Sequence, residues 1–221
     1  MATGSAQALH VGARPEPGWL SSAEVAGPRL PDALAIVGRQ LDTDRPDIQG
    51  QRIVEVLSWW IALPAAHALL DGRPLPDLSP ENTRLWVDPD PAPDGIGTLV
   101  LEDRETTTAL DALVEAHLAP LVSAASERTR RPAKALWRGV DDRVAAALIH
   151  VAQTRGEEAR GCELARAAYP DIDLRTLELP GYALTVHVRS GCCLYYRIPK
   201  AKCWGCPLLS DDERRALTSN A

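Results

Sequence analysis

Four of the chain's five cysteines, Cys192, Cys193, Cys203 and Cys206, crowd into the stretch R-S-G-C-C-L-Y-Y-R-I-P-K-A-K-C-W-G-C from Arg189 to Cys206, and only Cys162 lies elsewhere. A C-x-x-C pair such as Cys203 and Cys206 lets two thiolates reach one metal from a tight turn. The adjacent pair Cys192-Cys193 is less usual. Successive side chains of a strand point to opposite faces, so neighbours share a small centre only where the backbone bends. Gly191, just before the pair, permits that bend. Three chemistries remain open on these residues. Disulfides need an oxidising compartment, and the opening M-A-T-G-S-A-Q-A-L-H lacks the basic start and apolar run of a secretion signal. A structural zinc usually takes two C-x-x-C-like knuckles, and a C-C dipeptide makes a poor one. An iron–sulfur cluster with two iron atoms suits ligands from two separate pieces of backbone, and the spacing favours it over zinc.

The runs G-C-C-L-Y-Y-R-I-P and C-W-G-C-P-L-L resemble the C-terminal signature of the FhuF-type siderophore-iron reductases. The loop between Cys193 and Cys203 is slightly shorter than in that family. H-L-A-P-L-V (117–122) and A-L-W-R-G-V (135–140) resemble family segments more loosely. The resemblance implies that Cys192, Cys193, Cys203 and Cys206 hold a [2Fe-2S] cluster. It also implies a cytoplasmic one-electron reductase that acts on a ferric siderophore and releases ferrous iron. Two other readings use the same cysteines: an electron carrier or sensor without siderophore turnover, and a zinc-stapled binding domain. Arg189, Arg197, Lys200 and Lys202 share the segment with no acidic residue. Cations beside a negatively charged cluster would raise its potential; the plainer reading is that they keep an exposed loop soluble. Trp204, inside the C-x-x-C pair, is positioned to shield such a centre or to leave it open.

The elements that must position this segment precede it. T-L-E-L (176–179) and Y-A-L-T-V-H-V (182–188) read as strands about the turn dipeptide Pro180-Gly181, the second feeding the chain into Cys192. Apolar spacing predicts one helix after Thr106–Thr108, which can cap it, running to about Glu127. A second starts at Pro132 and carries Leu136, Val140, Val144, Leu148 and Val151 on one side. The basic group Arg128, Arg130, Arg131, Lys134 and Arg138 at their junction reads as a solvated surface, or as a site for an anionic ligand. A weaker helix interrupted by Gly161 carries Cys162, which reads as a small buried hydrophobe. The most apolar stretch, Ile53 to Leu70, contains Glu55, Ser58, Pro64 and His67. It is expected to be a core helix kinked or broken near Pro64, too short and interrupted to span a membrane. Trp59, Trp60, His67, His117 and His150 read as structural. Ser21 and Glu24 have capping-box spacing. R-L-W-V (84–87) and T-L-V-L (98–101) read as a hairpin.

Hydrophobic residues make up 45% and charged residues 24% of the 221, the balance of a soluble domain with a real core. A net charge of −6 argues against a nucleic-acid partner. Gly95 and Gly97 are followed by Val100 and a strand, which is no dinucleotide fingerprint. Electrons are therefore expected from an external flavoprotein or ferredoxin. These readings combine into an α+β fold: a flexible N-terminal arm (1–20), a mostly helical body with short antiparallel strands (21–188), and a C-terminal iron–sulfur cluster loop segment (189–221).

Overall fold

The computed structural model describes residues 9–11, 19–87, 96–100, 102, 104–199 and 202–219. Its axis is a helix from Pro46 to Leu70 (α3), preceded by short helices Ser22–Ala26 (α1) and Leu30–Leu41 (α2). Pro46 occupies the first helical position, where its missing N–H costs nothing. The helix is apolar nearly all round, and such a helix must be covered on several sides. Two long helices, Leu110–Thr129 (α4) and Ala133–Thr154 (α5), pack along it, with Glu158–Ala168 (α6) against α5. Gly139 lets α5 approach α3, since a Cβ there would collide with Gln51 of α3.

Strands fill the gaps. Leu9–Val11 (β1), Trp19–Leu20 (β2), Thr83–Val87 (β4) and Ile96–Val100 (β5) form a sheet in the order β1-β5-β4-β2. The β4–β5 pair is the expected hairpin, antiparallel with Leu85 opposite Thr98. β1 lies parallel to β5, so parts of the stretch expected to be a free arm are paired in this sheet; the rest of 1–20 lies outside the described residues. Leu75–Pro76 (β3) pairs with Glu105–Thr106 (β6). Asp173–Leu179 (β7) and Tyr182–Val188 (β8) form the second expected hairpin, with Gly181 at φ 86° in its turn. The architecture is α+β, helical in bulk with short, mainly antiparallel strand pairs.

Three local expectations are corrected. α3 continues through Pro64 to Leu70 without a break, with that proline buried inside the helix. The helix therefore has 25 residues and is long and apolar enough by composition to cross a membrane, with 72% of its most apolar window buried in the fold. Thr106–Thr108 do not cap α4. Its N-cap is Ala109, with no side-chain cap, while the Thr106 hydroxyl accepts from the Thr108 N–H at 3.1 Å. Ser21 and Glu24 do form the capping box of α1.

One core fills the space between α2, α3, α4, α5 and α6, and Leu194 and Ile198 of the cysteine segment belong to it. Far from that segment, His117 of α4 is buried between the Ser22 hydroxyl and the Leu78 carbonyl. Burial lowers its pKa and keeps the imidazole neutral.

Candidate metal centre

β8 ends at Val188, and the chain enters the cysteine segment through Arg189, Ser190 and Gly191. Two helices hold this entry. Asp142 of α5 accepts hydrogen bonds from the backbone N–H groups of Ser190 and Gly191, both at 2.8 Å. Its other neighbours are His187, at 3.4 Å, and the Arg189 guanidinium, at 3.6 Å. Burial would raise the pKa of Asp142, but the hydrogen bonds from His187, Ser190 and Gly191 and the charge of Arg189 together hold it below the ordinary value.

Beneath lies Glu55 of α3, with 0% exposure. It pairs with the buried Arg189 through both carboxylate oxygens, with Arg143 at 3.2 Å, and accepts from Gln51 at 2.9 Å. Burial acts to raise its pKa, and the charges of Arg189 and Arg143 overcome this and bring it to about 2. A buried carboxylate so paired stays ionised. The network reaches the cysteines directly: Arg131 donates to Gln51 at 3.0 Å and to the Cys192 carbonyl at 2.9 Å.

The two cysteine pairs meet over this base. The Arg189 N–H donates to the Gly205 carbonyl at 3.0 Å, tying the approach to Cys192 to the C-x-x-C turn. Gly205 is required there, because a Cβ would sit 2.8 Å from the His187 carbonyl oxygen. Inside that turn the Cys206 N–H donates to the Cys203 carbonyl at 2.9 Å. Arg214 of the last helix, Asp211–Ser219 (α7), holds the Cys206 carbonyl at 2.6 Å. After Cys193 the chain turns through Leu194 at φ 64°, a left-handed conformation costly for a branched side chain and offset here by burial of that side chain in the core.

The neighbouring Cys203 thiol is the main cause that lowers the pKa of Cys193, and Cys193 in turn raises that of Cys203. All five cysteines are free thiols. Among the described residues, no three His, Cys, Asp or Glu side chains stand ready as a metal-binding group. The donor set nevertheless fits a thiolate-bound centre: the Arg189–Gly205 bond ties the approach to the C-C pair to the C-x-x-C turn, and Arg131 and Arg214 hold the Cys192 and Cys206 carbonyls.

The four basic residues singled out in the segment do not act alike. Arg189 is 8% exposed and committed to Glu55, so it belongs to the base of the loop and not to its surface. Arg197 lies on the rim, paired with Asp47 at 3.2 Å and set over the Tyr196 ring. The charge of Lys202 acts on Glu213. Lys200 lies outside the described residues. Within the basic group of 128–138, Arg131 is not merely solvated, given its bonds to Gln51 and Cys192. The residues not singled out from sequence as part of a site are Gln51, Glu55, Asp142, Arg143 and His187. The available signal was an acid inside the run I-V-E-V-L and a D-D-R set inside an amphipathic helix.

Beside Cys203 opens a cavity of about 160 Å³, lined by Trp59 and His150 on one hand and Trp204 and Gly205 on another. Arg143 and Arg189 reach it from the buried network. No protein-family model matches the chain, and no curated protein matches it.

Proposed function

We propose that this chain is a cytoplasmic one-electron reductase of ferric siderophores, with Cys192, Cys193, Cys203 and Cys206 as the ligands of a [2Fe-2S] cluster. The observation that carries the reading is the bond from the Arg189 N–H to the Gly205 carbonyl at 3.0 Å, beside the Cys192 approach and inside the C-x-x-C turn. It ties the C-C side to the C-x-x-C side within the very segment that resembles the FhuF-type reductases. When bound, the cluster would supply single electrons.

The protein's own residues have three tasks. Asp142 and Arg131 fix the backbone from Ser190 to Cys192, and Glu55 holds the Arg189 side chain, so that the C-C pair is presented from a fixed base. Arg189 and Arg143 pair with Glu55 beneath the cysteine segment, Arg189 from a buried position. The cavity beside Cys203 gives an incoming chelate a place to dock. Ferric iron is held by hard oxygen donors, and addition of one electron gives ferrous iron, which those donors hold far less well. No general acid or nucleophile is needed. The electron comes from a flavoprotein or ferredoxin.

The test is anaerobic purification with iron and sulfide analysis, followed by mixing the reduced protein with ferric chelates and trapping ferrous iron. The expected protein is red-brown, holds iron and sulfide in equal amounts, and releases ferrous iron from a chelate. Each of Cys192→Ser, Cys193→Ser, Cys203→Ser and Cys206→Ser should abolish or strongly alter the visible spectrum, whereas Cys162→Ser should not. A colourless zinc protein would refute the reading.

A further inference from the structure

From Arg128 to Val140 the run R-T-R-R-P-A-K-A-L-W-R-G-V holds five cations and no acid, in a chain whose net charge is −6. Arg128 stands in the last turn of α4 and Arg130 at its C-cap. Lys134 and Arg138 follow at the start of α5, four residues apart and so on one face. These four are exposed, and among the described residues none of their side chains has a hydrogen-bond or ion-pair partner. Exposed arginines on other faces are matched, as Arg73 is with Asp71 and Arg175 with Asp173 and Asp211. The unmatched patch borders the C-C pair. Arg131 crosses from it to the Cys192 carbonyl at 2.9 Å. The Arg138 Cβ stands 3.2 Å from where a Cβ on Gly191 would be. Cys192 itself is half-buried, whereas Cys193 is buried. None of the four exposed cations lines the cavity at Trp204 or the one at Tyr169.

We propose that this patch docks the electron donor, a one-electron carrier protein with an acidic face, against the C-C side of the centre. The inference rests on the iron–sulfur reading above and specifies the partner of that same site. The transfer moves one electron, oxidising the donor and reducing the centre, with no bond made or broken. An acidic carrier is repelled by the chain's overall charge, so a local cluster of cations must supply both the attraction and the orientation. These side chains can supply it because no internal partner has to be given up on contact. Cations spread over two helix ends suit the broad face of a protein. A small anion needs donors that converge, and the cavities where groups converge lack these cations. The border with Cys192 selects a redox partner from among acidic surfaces.

Fluorescence-anisotropy titration of the cluster-loaded protein with a labelled, acidic plant-type ferredoxin tests this. Binding should be present at about 0.01 M salt and weaken by more than about tenfold at about 0.15 M, as the screening length falls from about 30 Å to about 8 Å. Arg138→Glu should weaken low-salt binding by about fivefold, Arg138→Gln by less, and Lys134→Glu combined with Arg138→Glu by more than about tenfold. Arg73→Glu makes the same change in net charge at the far end of α5, where Arg73 and the C-cap residue Arg155 share Asp71. It should change binding by less than about twofold, and the visible spectrum should stay unchanged throughout. Absence of binding at low salt, or equal losses from Arg138→Glu and Arg73→Glu, would overturn the proposal. So would Arg138→Glu weakening binding of a redox-inert gallium(III) tris-catecholate while sparing the ferredoxin, which would give the patch to the substrate. Ferrous-iron release from ferric chelates decides the reductase reading separately. A protein that takes electrons on this face and leaves ferric chelates untouched keeps the docking surface and is an electron carrier. One that reduces chelates while ferredoxin binding ignores the reversals keeps its function and loses the surface.

Discussion

Two buried polar regions sit at different places in the same helical core and are built differently. Around His117 the groups are neutral: an imidazole, the Ser22 hydroxyl and the Leu78 carbonyl join three elements with hydrogen bonds alone. Beneath the cysteines the groups are charged: Glu55 and Asp142 face Arg189 and Arg143, with Arg131 reaching them through Gln51. Buried ion pairs rarely raise stability above that of a well-packed apolar core, because desolvation offsets the attraction. The second region is therefore not explained by stability. It holds a loop that reaches the apolar core through Leu194 and Ile198, and it sets paired charges beneath the cysteine segment. The neutral region shows what suffices where nothing but packing is required.

The strongest way to break this contrast is to remove one partner of the charged set. Glu55→Gln leaves Arg189 and Arg143 without their shared carboxylate. It should cost about 3–5 kcal/mol in urea unfolding, the range for an orphaned buried charge. It should also disturb the visible spectrum, since Arg189 is tied to Gly205 beside the C-x-x-C turn. A loss under about 1 kcal/mol with an unaltered spectrum would show that the loop stands without this base.

Acid sharpens the contrast by separating the two regions in pH. Glu55 falls from an ordinary 4.5 to about 2 in the folded protein. A carboxylate with a depressed folded pKa stabilises fully above its unfolded value, and that stabilisation disappears as pH falls from about 4.5 towards 2. The size of the shift corresponds to about 3 kcal/mol. His117 also has a lowered pKa, from 6.5, because burial disfavours its charged form. Its contribution is complete above that value and starts to fade once pH drops below about 6.5. Urea midpoints of the parent should decline in two stages, with the lower stage reduced in Glu55→Gln and its remainder left to Asp142 and the other lowered carboxylates. His67 and His150, both also lowered by burial, add to the upper stage. A single-stage decline in which Glu55→Gln parallels the parent would remove the assignment.

Replacement of His117 by Ala should cost less than loss of Glu55. It leaves the Ser22 hydroxyl and the Leu78 carbonyl unsatisfied and opens a small void, about 1–3 kcal/mol by the usual cost of such groups. The cysteine spectrum should not change. A spectral change would mean that the two regions are coupled through α4, contrary to their separate hydrogen-bond networks.

Much of this was legible in the sequence, and the illegible part has one physical cause. Periodicity and turn dipeptides report which local element a residue joins. They located α4, α5 and both long hairpins, because those depend on neighbours in the chain. They do not report which distant side chain a polar group will meet. Glu55 read as an interruption of an apolar run, though it is an acid matched by Arg189 across 134 positions of sequence. Arg189 read as a cation beside a cluster or on a soluble loop, because nothing local to it names its partner. β1 was invisible because three residues that pair in parallel with β5 carry no local turn signal. The cysteines were conspicuous because their chemistry is rare, and rarity needs no partner to be noticed.

Arg197 gives the smallest effect and separates the base of the loop from its rim. Its guanidinium is half exposed and pairs with Asp47 on α3 at 3.2 Å. Its charge lies in water that screens it, unlike that of Arg189. Arg197→Gln should therefore change unfolding free energy by less than about 1 kcal/mol, as exposed pairs do. If Arg197 does not share the environment of the thiols, its loss should also move the cluster's reduction potential by well under about 59 mV, the value of a tenfold change for one electron. Slower reduction of an anionic ferric chelate at low salt, vanishing as salt is raised, is the one kinetic change expected of a rim charge. A potential shift of about 59 mV or more would place Arg197 electrically among the base residues and erase the distinction between base and rim.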